Sequence, residues 1–169
     1  AGQVLVMGGT DEQRKQWLPR LASGEVVAAF ALTEPDAGSD PSSLVTSAVA
    51  DGDGWVIDGL KRYITNAPAA DVFMVFARTD PEAPRGKGIG VFIVPSSLAG
   101  VSVAAKDHKM GQAGAWTADV SFSGVRVPRE ALVGEAAAAG YATAMRSLAH
   151  GRLVIAGMCV GVAARLIDE

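Results

Sequence analysis

Phe30-Ala31-Leu32-Thr33-Glu34-Pro35-Asp36-Ala37-Gly38-Ser39-Asp40 is the stretch on which the fold reading turns. An apolar run enters it from Val26 with β-branched and aromatic residues at the two-residue period of a strand. Pro35 removes a backbone donor and biases Glu34 away from helical angles, so the strand stops there. In the turn that follows, Gly38 can take a positive φ, and Ser39 and Asp40 can bond the local backbone. A strand ending this way presents free N–H groups and the hydroxyls of Thr33 and Ser39. Such a tip can hold a planar heterocycle along its backbone edge and an anion at its turn. The plainer reading is an ordinary strand followed by a polar turn.

Further strands are expected over 44–50, 55–60, 62–65, 71–78, 88–94, 101–106 and 118–122, after a first over 26–33. Asp51-Gly52-Asp53-Gly54 is a hairpin signal, because both glycines tolerate positive φ. Residues 80–87 read as a solvated loop. Many short strands without intervening helices predict an antiparallel β-barrel or sandwich, in a chain that is mainly β with flanking α. Lys61-Arg62-Tyr63-Ile64-Thr65-Asn66-Ala67 is a second strand end. Brought beside the first tip, it adds the Thr65 hydroxyl and the Tyr63 ring to the same flat ligand.

The flanks are helical. Thr10 with Gln13 has the form of a capping box, Asp11 and Glu12 suit the first turn, and Gly24 is a stop. Trp17, Leu18 and Leu21 give an apolar stripe, so 11–22 is a short amphipathic helix with Pro19 as a defect near its end. Residues 136–169 are Ala-rich with helical period. Gly140, Gly151, Gly157 and Gly161 each cost about 1 kcal/mol relative to Ala, which places this helix in a bundle whose other members are not in the chain. Its apolar run over 153–164 covers about 18 Å as a helix, short of a bilayer core of about 30 Å. It reads as a buried core helix rather than a membrane span.

Bulk properties exclude several functions. The chain has 169 residues, a formal net charge of -3 and 49% hydrophobic residues, with a mean hydropathy of +0.25. That balance argues against nucleic acid or an anionic membrane as the main partner. Cys159 is the single cysteine, which precludes an intrachain disulfide and fits a reducing compartment. His108 and His150 have no partners at ligand spacing, so no metal site is predicted. No nucleophile elbow surrounds Ser96 or Ser97, and neither a P-loop nor a Rossmann glycine motif is present. Residues 1–9 lack the pattern of a signal peptide. A start at Ala1 and an end within a helical pattern read as a chain cut at both ends.

Taken in order, the motifs resemble the acyl-CoA dehydrogenase family. They are Gly9-Thr10, Leu18-Pro19-x-Leu21-Ala22-x-Gly24-Glu25, Phe30-Ala31-Leu32-Thr33-Glu34-Pro35-x-Ala37-Gly38-Ser39-Asp40, Gly59-x-Lys61-x-Tyr63-Ile64-Thr65-Asn66, Lys109-Met110-Gly111, Val125-x-Val127-Pro128 and Gly151-Arg152. The resemblance implies three parts: 1–25 as the end of an N-terminal helical domain, 26–133 as a middle β-domain, and 134–169 as the first helix of a C-terminal bundle. It implies FAD, held by Phe30, Ala31, Leu32 and Thr33 along the ring, by Tyr63, Ile64 and Thr65 beside it, and by Ser39 near the pyrophosphate. It implies an acyl-CoA substrate near Ser39 and Arg152, an electron-transfer flavoprotein as acceptor, and a homo-oligomer, dimer or tetramer. The implied location is the bacterial cytoplasm or the mitochondrial matrix.

The resemblance also implies a glutamate base that takes the Cα proton while hydride leaves Cβ. In most relatives that residue lies late in the bundle. In a minority it directly precedes the arginine matched here by Arg152, a position held by Gly151. No catalytic residue is therefore expected in this chain, and the isolated chain is expected to be inactive and to hold FAD weakly or not at all. Tyr63 stands where the family usually has Trp, a conservative change for stacking. Ala113, Ala115 and Ala149 replace residues more polar in relatives, which points to an altered acyl-CoA pocket. A flavin-dependent oxidase or monooxygenase of the same frame, or a non-catalytic β-domain module, stand as alternatives.

Overall fold

The structure is a computed structural model that describes every residue, 1–169. Two short helices, α1 (Gly2–Gly8) and α2 (Asp11–Ser23), precede seven strands. These are β1 (Ala28–Ala31), β2 (Ser47–Asp51), β3 (Gly54–Thr65), β4 (Val72–Arg78), β5 (Ile89–Pro95), β6 (Val101–Val103) and β7 (Thr117–Pro128). A long helix, α3 (Gly140–Asp168), ends the chain. The expected β body with a short N-terminal helix and a long C-terminal one is thus present.

The strands form one curled sheet in the order β1-β4-β2-β3-β7-β6, with β5 on the other edge of β4. Most pairings are antiparallel, but β1 runs parallel to β4, from Ala28 opposite Val72 to Ala31 opposite Val75, and β2 meets β4 in parallel at Ser47 opposite Arg78. The curl wraps a core that includes Ile57, Phe73, Phe92 and Val120. A second core, with Leu5, Met74, Phe76, Ile89 and Ala144, fills the space between the outer face and the helices. β4 and β5 serve both cores, so six consecutive residues are buried in each strand. Strands covered on both faces read as continuous apolar runs, and these two do.

Local chemistry explains most boundaries. The capping box forms: Gln13 N–H donates to Thr10 Oγ1 at 3.2 Å and Thr10 N–H to Gln13 Oε1 at 3.0 Å. Gly24 closes α2 at φ 77°. The hairpin between β2 and β3 forms where expected, although only Gly52 of its glycines has positive φ. Gly38 does not take one either; the turn closes earlier, by a bridge between Glu34 and Ala37. Accordingly β1 ends at Ala31 rather than at Thr33.

Other expectations need correction. The segments 55–60 and 62–65 are one strand, β3, interrupted by register shifts against β7 rather than by a turn. α1 has no sequence signal of its own, and it forms because Val4 and Leu5 are fully buried in the outer core. In α3 only Gly140, Thr143, Ala144 and Ser147 are buried. From Arg152 onward every residue is exposed. The run over 153–164 is therefore not a buried core helix within this chain. At 29 residues, α3 is long and apolar enough by length and composition to cross a membrane.

Candidate functional site

The β1 tip and the end of β3 meet. At Arg62 the β3 backbone leaves β7, and its N–H donates to Thr33 O at 2.8 Å. Tyr63 then takes φ 56°, an uncommon angle for a side chain of its size, and its N–H donates to the Asp119 carboxylate at 3.2 Å. The pairing with β7 resumes at Ile64 opposite Ala118. This bulge turns Tyr63, Ile64 and Thr65 toward Leu32 and Thr33.

Between them lies a cleft of about 510 Å³. One wall is Phe30, Leu32 and Thr33, the facing wall is Tyr63, Ile64 and Thr65, and residues 38–41 close one end. α3 supplies the last wall from Tyr141, Met145, Leu148 and Arg152, which share one helical face. Seven of the eight expected cofactor contacts line this cleft, as does Arg152. Ala31 does not, because β1 alternates and its side chain points into the inner core. Tyr141, Met145 and Leu148 were not expected at the site; their spacing along α3 was the available signal.

The cleft lining mixes apolar side chains with unused hydrogen-bonding groups. The amides of Leu32 and Thr33 donate to nothing in the chain, and the hydroxyls of Thr33, Ser39 and Thr65 have no partner there. Asp40 is the one carboxylate on the lining. Hydrogen bonds from the Ser42 hydroxyl and amide, with Arg85 nearby, hold it below the usual carboxylate range.

Behind the rim sits a buried ion pair that sequence reasoning did not assign. Lys61 is 0% exposed and Glu34 is 3% exposed. Lys61 Nζ donates to Glu34 Oε1 at 2.8 Å, to Leu32 O at 3.1 Å and to Phe76 O at 2.6 Å. An ammonium has three protons, and all three are used. The Glu34 carboxylate also accepts from Val45 N–H at 2.6 Å and Thr46 N–H at 3.0 Å. The 44–46 segment lies so close to β3 that a Cβ at Gly59 would come within 2.3 Å of Thr46 Oγ1. Burial pushes Lys61 down to about 8, against the opposing pull of Glu34. Burial also works to raise the Glu34 carboxyl, but Lys61 and the Val45 amide outweigh it and hold the group below its ordinary value.

A second cleft, of about 840 Å³, lies between α2 and the β2–β3 hairpin, with Glu12, Trp17, Asp53 and Trp55 on its lining. It contains none of the expected site residues.

The fold and the rim cleft define a class: a curled β-domain with a cleft at its rim, roofed by one helix. Residues 29–125 match the family described as "Acyl-CoA dehydrogenase, middle domain". The chain belongs to the acyl-CoA dehydrogenase family, a family of flavin-using oxidoreductases. It is 41% identical to the mitochondrial short-chain specific acyl-CoA dehydrogenase of Bos taurus, over 99% of this chain and 40% of that one. It is equally 41% identical to the caffeyl-CoA reductase-Etf complex subunit CarC of Acetobacterium woodii, over 100% of this chain and 44% of that one. Among solved structures, a glutaryl-CoA dehydrogenase from Mycobacterium smegmatis in complex with FADH2 matches with a TM-score of 0.75 at 36% identity. That match covers 84% of this chain and 35% of the other. The chain thus spans well under half the length of these relatives.

Proposed function

We propose that the rim cleft holds the isoalloxazine ring of FAD, and that the whole protein carries out α,β-dehydrogenation of an acyl-CoA thioester. The observation that carries the reading is the set of free groups around the cleft: the amides of Leu32 and Thr33 and the hydroxyls of Thr33, Ser39 and Thr65, brought together where the β1 tip meets the end of β3. Bound there, flavin supplies two-electron redox chemistry that no side chain of this chain can. The chain's own residues do the placing. The Leu32 and Thr33 amides and the Thr33 hydroxyl face the polar edge of the ring. The Thr65 hydroxyl stands on the opposite wall, and the Tyr63, Ile64 and Leu148 side chains cover the faces and exclude water. Ser39 and Arg152, at the open end, suit the anionic parts of cofactor and substrate.

In this reading the base that takes the substrate's Cα proton does not come from this face. Hydrogen bonds from Ser42, with Arg85 nearby, hold Asp40 below the usual carboxylate range and make it a poor proton acceptor, and Gly151 offers no side chain. The electron acceptor is an electron-transfer flavoprotein, supported by the complex for which the Acetobacterium relative is named. The exposed apolar half of α3 supports assembly into a homo-oligomer. One relative is mitochondrial and another bacterial, consistent with a matrix or bacterial cytoplasmic location.

The test is a visible absorption spectrum of the whole protein before and after anaerobic addition of short-chain and aryl acyl-CoA thioesters. The reading predicts the two bands of oxidised flavin and their bleaching by at least one thioester. A colourless protein that takes up no added FAD contradicts it. Bleaching followed by peroxide release in air moves the assignment to an oxidase of the same frame.

A further inference from the structure

The groups that edge the cleft depend on the buried pair behind it. We propose that Lys61 and Glu34 are positioning residues for the flavin, acting through the rim backbone without touching the ligand. The inference rests on the flavin reading of the cleft.

Neither side chain is on the cleft lining. Lys61 holds the Leu32 carbonyl inward. In a planar trans peptide the C=O and the following N–H point in opposite directions. Fixing Leu32 O therefore aims the Thr33 amide away from Lys61, where no carbonyl of the chain takes it. The next carbonyl, Thr33 O, is taken by the Arg62 amide, one residue beyond Lys61 on β3. Both walls are thus tied to the same ammonium. Glu34 extends the tie to the third side: its carboxylate holds the amides of Val45 and Thr46, just beyond the 38–41 end of the cleft.

The cost of this arrangement is informative. Two buried charges are an expensive way to fill space, and an apolar pair of similar volume usually does so at no loss. An apolar pair cannot engage two carbonyls and two amides from three separate segments. The charges gain placement of the tip, the loop, β3 and β4 relative to one another.

Three forms of the 169-residue chain test this: wild type, Lys61→Met, and the double variant Glu34→Leu/Lys61→Met. FAD binding is followed by titration, folding by denaturant unfolding, and the tie itself by hydrogen exchange at the Arg62 amide. Lys61→Met is expected to weaken FAD at least about tenfold, the size of one hydrogen bond to a charged group. The double variant is expected to regain the unfolding midpoint but not the FAD affinity, with fast Arg62 exchange in both variants. A double variant that binds FAD like wild type, or keeps Arg62 exchange slow, overturns the proposal and leaves the pair a stability device. Where the wild-type chain takes no FAD, the same titration is made on the whole protein, and no uptake there overturns the flavin reading. The Arg62 exchange then still decides whether the pair ties the rim: fast exchange in both variants supports the tie, and unchanged exchange overturns it.

Discussion

Lys61 and Leu166 are each placed against their residue type: the lysine is 0% exposed and the leucine 69% exposed. The lysine can leave water because the chain supplies an acceptor for each of its protons. The leucine stays in water because the chain supplies nothing to cover it, and the same holds for Val160 and Ile167 on the same half of α3. The β body therefore answers its own demands, including an awkward polar one. The outer half of α3 states a demand that the body does not answer. A helix apolar around its whole circumference is built for cover on all sides, in keeping with the bundle that the family resemblance implies.

The sharpest way to break this contrast is to unbalance the buried pair. Lys61→Met leaves the Glu34 carboxylate uncompensated and should cost about 3–5 kcal/mol in denaturant unfolding, with most of it recovered in Glu34→Leu/Lys61→Met. Loss of less than about 1 kcal/mol in the single variant would mean that the carboxylate finds water, and that the pair is not sealed as described.

Next in size is a matched pair of truncations. Phe73 is fully buried in the inner core, and Phe73→Ala should cost about 3–5 kcal/mol. Leu166→Ala, on the exposed helix, should stay within about 0.5 kcal/mol. Urea titrations of both variants check the contrast. A comparable loss at Leu166 would show that the outer half of α3 is already covered in solution, for instance by self-association.

The smallest effect is the pH dependence of the pair. Glu34 in the folded chain sits below its ordinary 4.5, so its contribution is complete above that value and fades as pH falls through it. Lys61, pushed down to about 8 from an ordinary 10.5, binds its proton less tightly folded than unfolded. Between those values the unfolded chain holds more protons, and stability rises with pH. Measured against the double variant, which has neither group, wild type should lose stability on acidification below the Glu34 value and gain it between 8 and 10.5. A flat difference across both windows would show that the groups titrate alike in the folded and unfolded chain.

Much of this was legible in advance, for identifiable reasons. Pro35 after an apolar run marked the strand tip, Thr10 with Gln13 marked the start of α2, and Asp51-Gly52-Asp53-Gly54 marked the hairpin. The two rim segments were named from their end residues, and they do adjoin. The parallel pairing of β1 with β4 was not legible, because no local period reports which strand a segment chooses some forty residues away. The bulge at Arg62-Tyr63 was hidden because a tyrosine does not advertise a left-handed backbone. Lys61 was missed through the division of β3. A break placed there interrupts the alternation that runs Ile57, Gly59, Lys61, and that alternation puts the lysine on the inward face. An inward lysine requires a carboxylate, and Glu34 at the other tip was the available one.

On the proposed function, the rim cleft, not the larger one between α2 and the β2–β3 hairpin, receives the flavin. Amide chemical shifts of the isotope-labelled chain, recorded during FAD addition, test it directly and register even weak binding. The largest shifts are expected at Leu32, Thr33, Ile64 and Thr65. Shifts centred on Trp17, Asp53 and Trp55, with the rim unmoved, would contradict it.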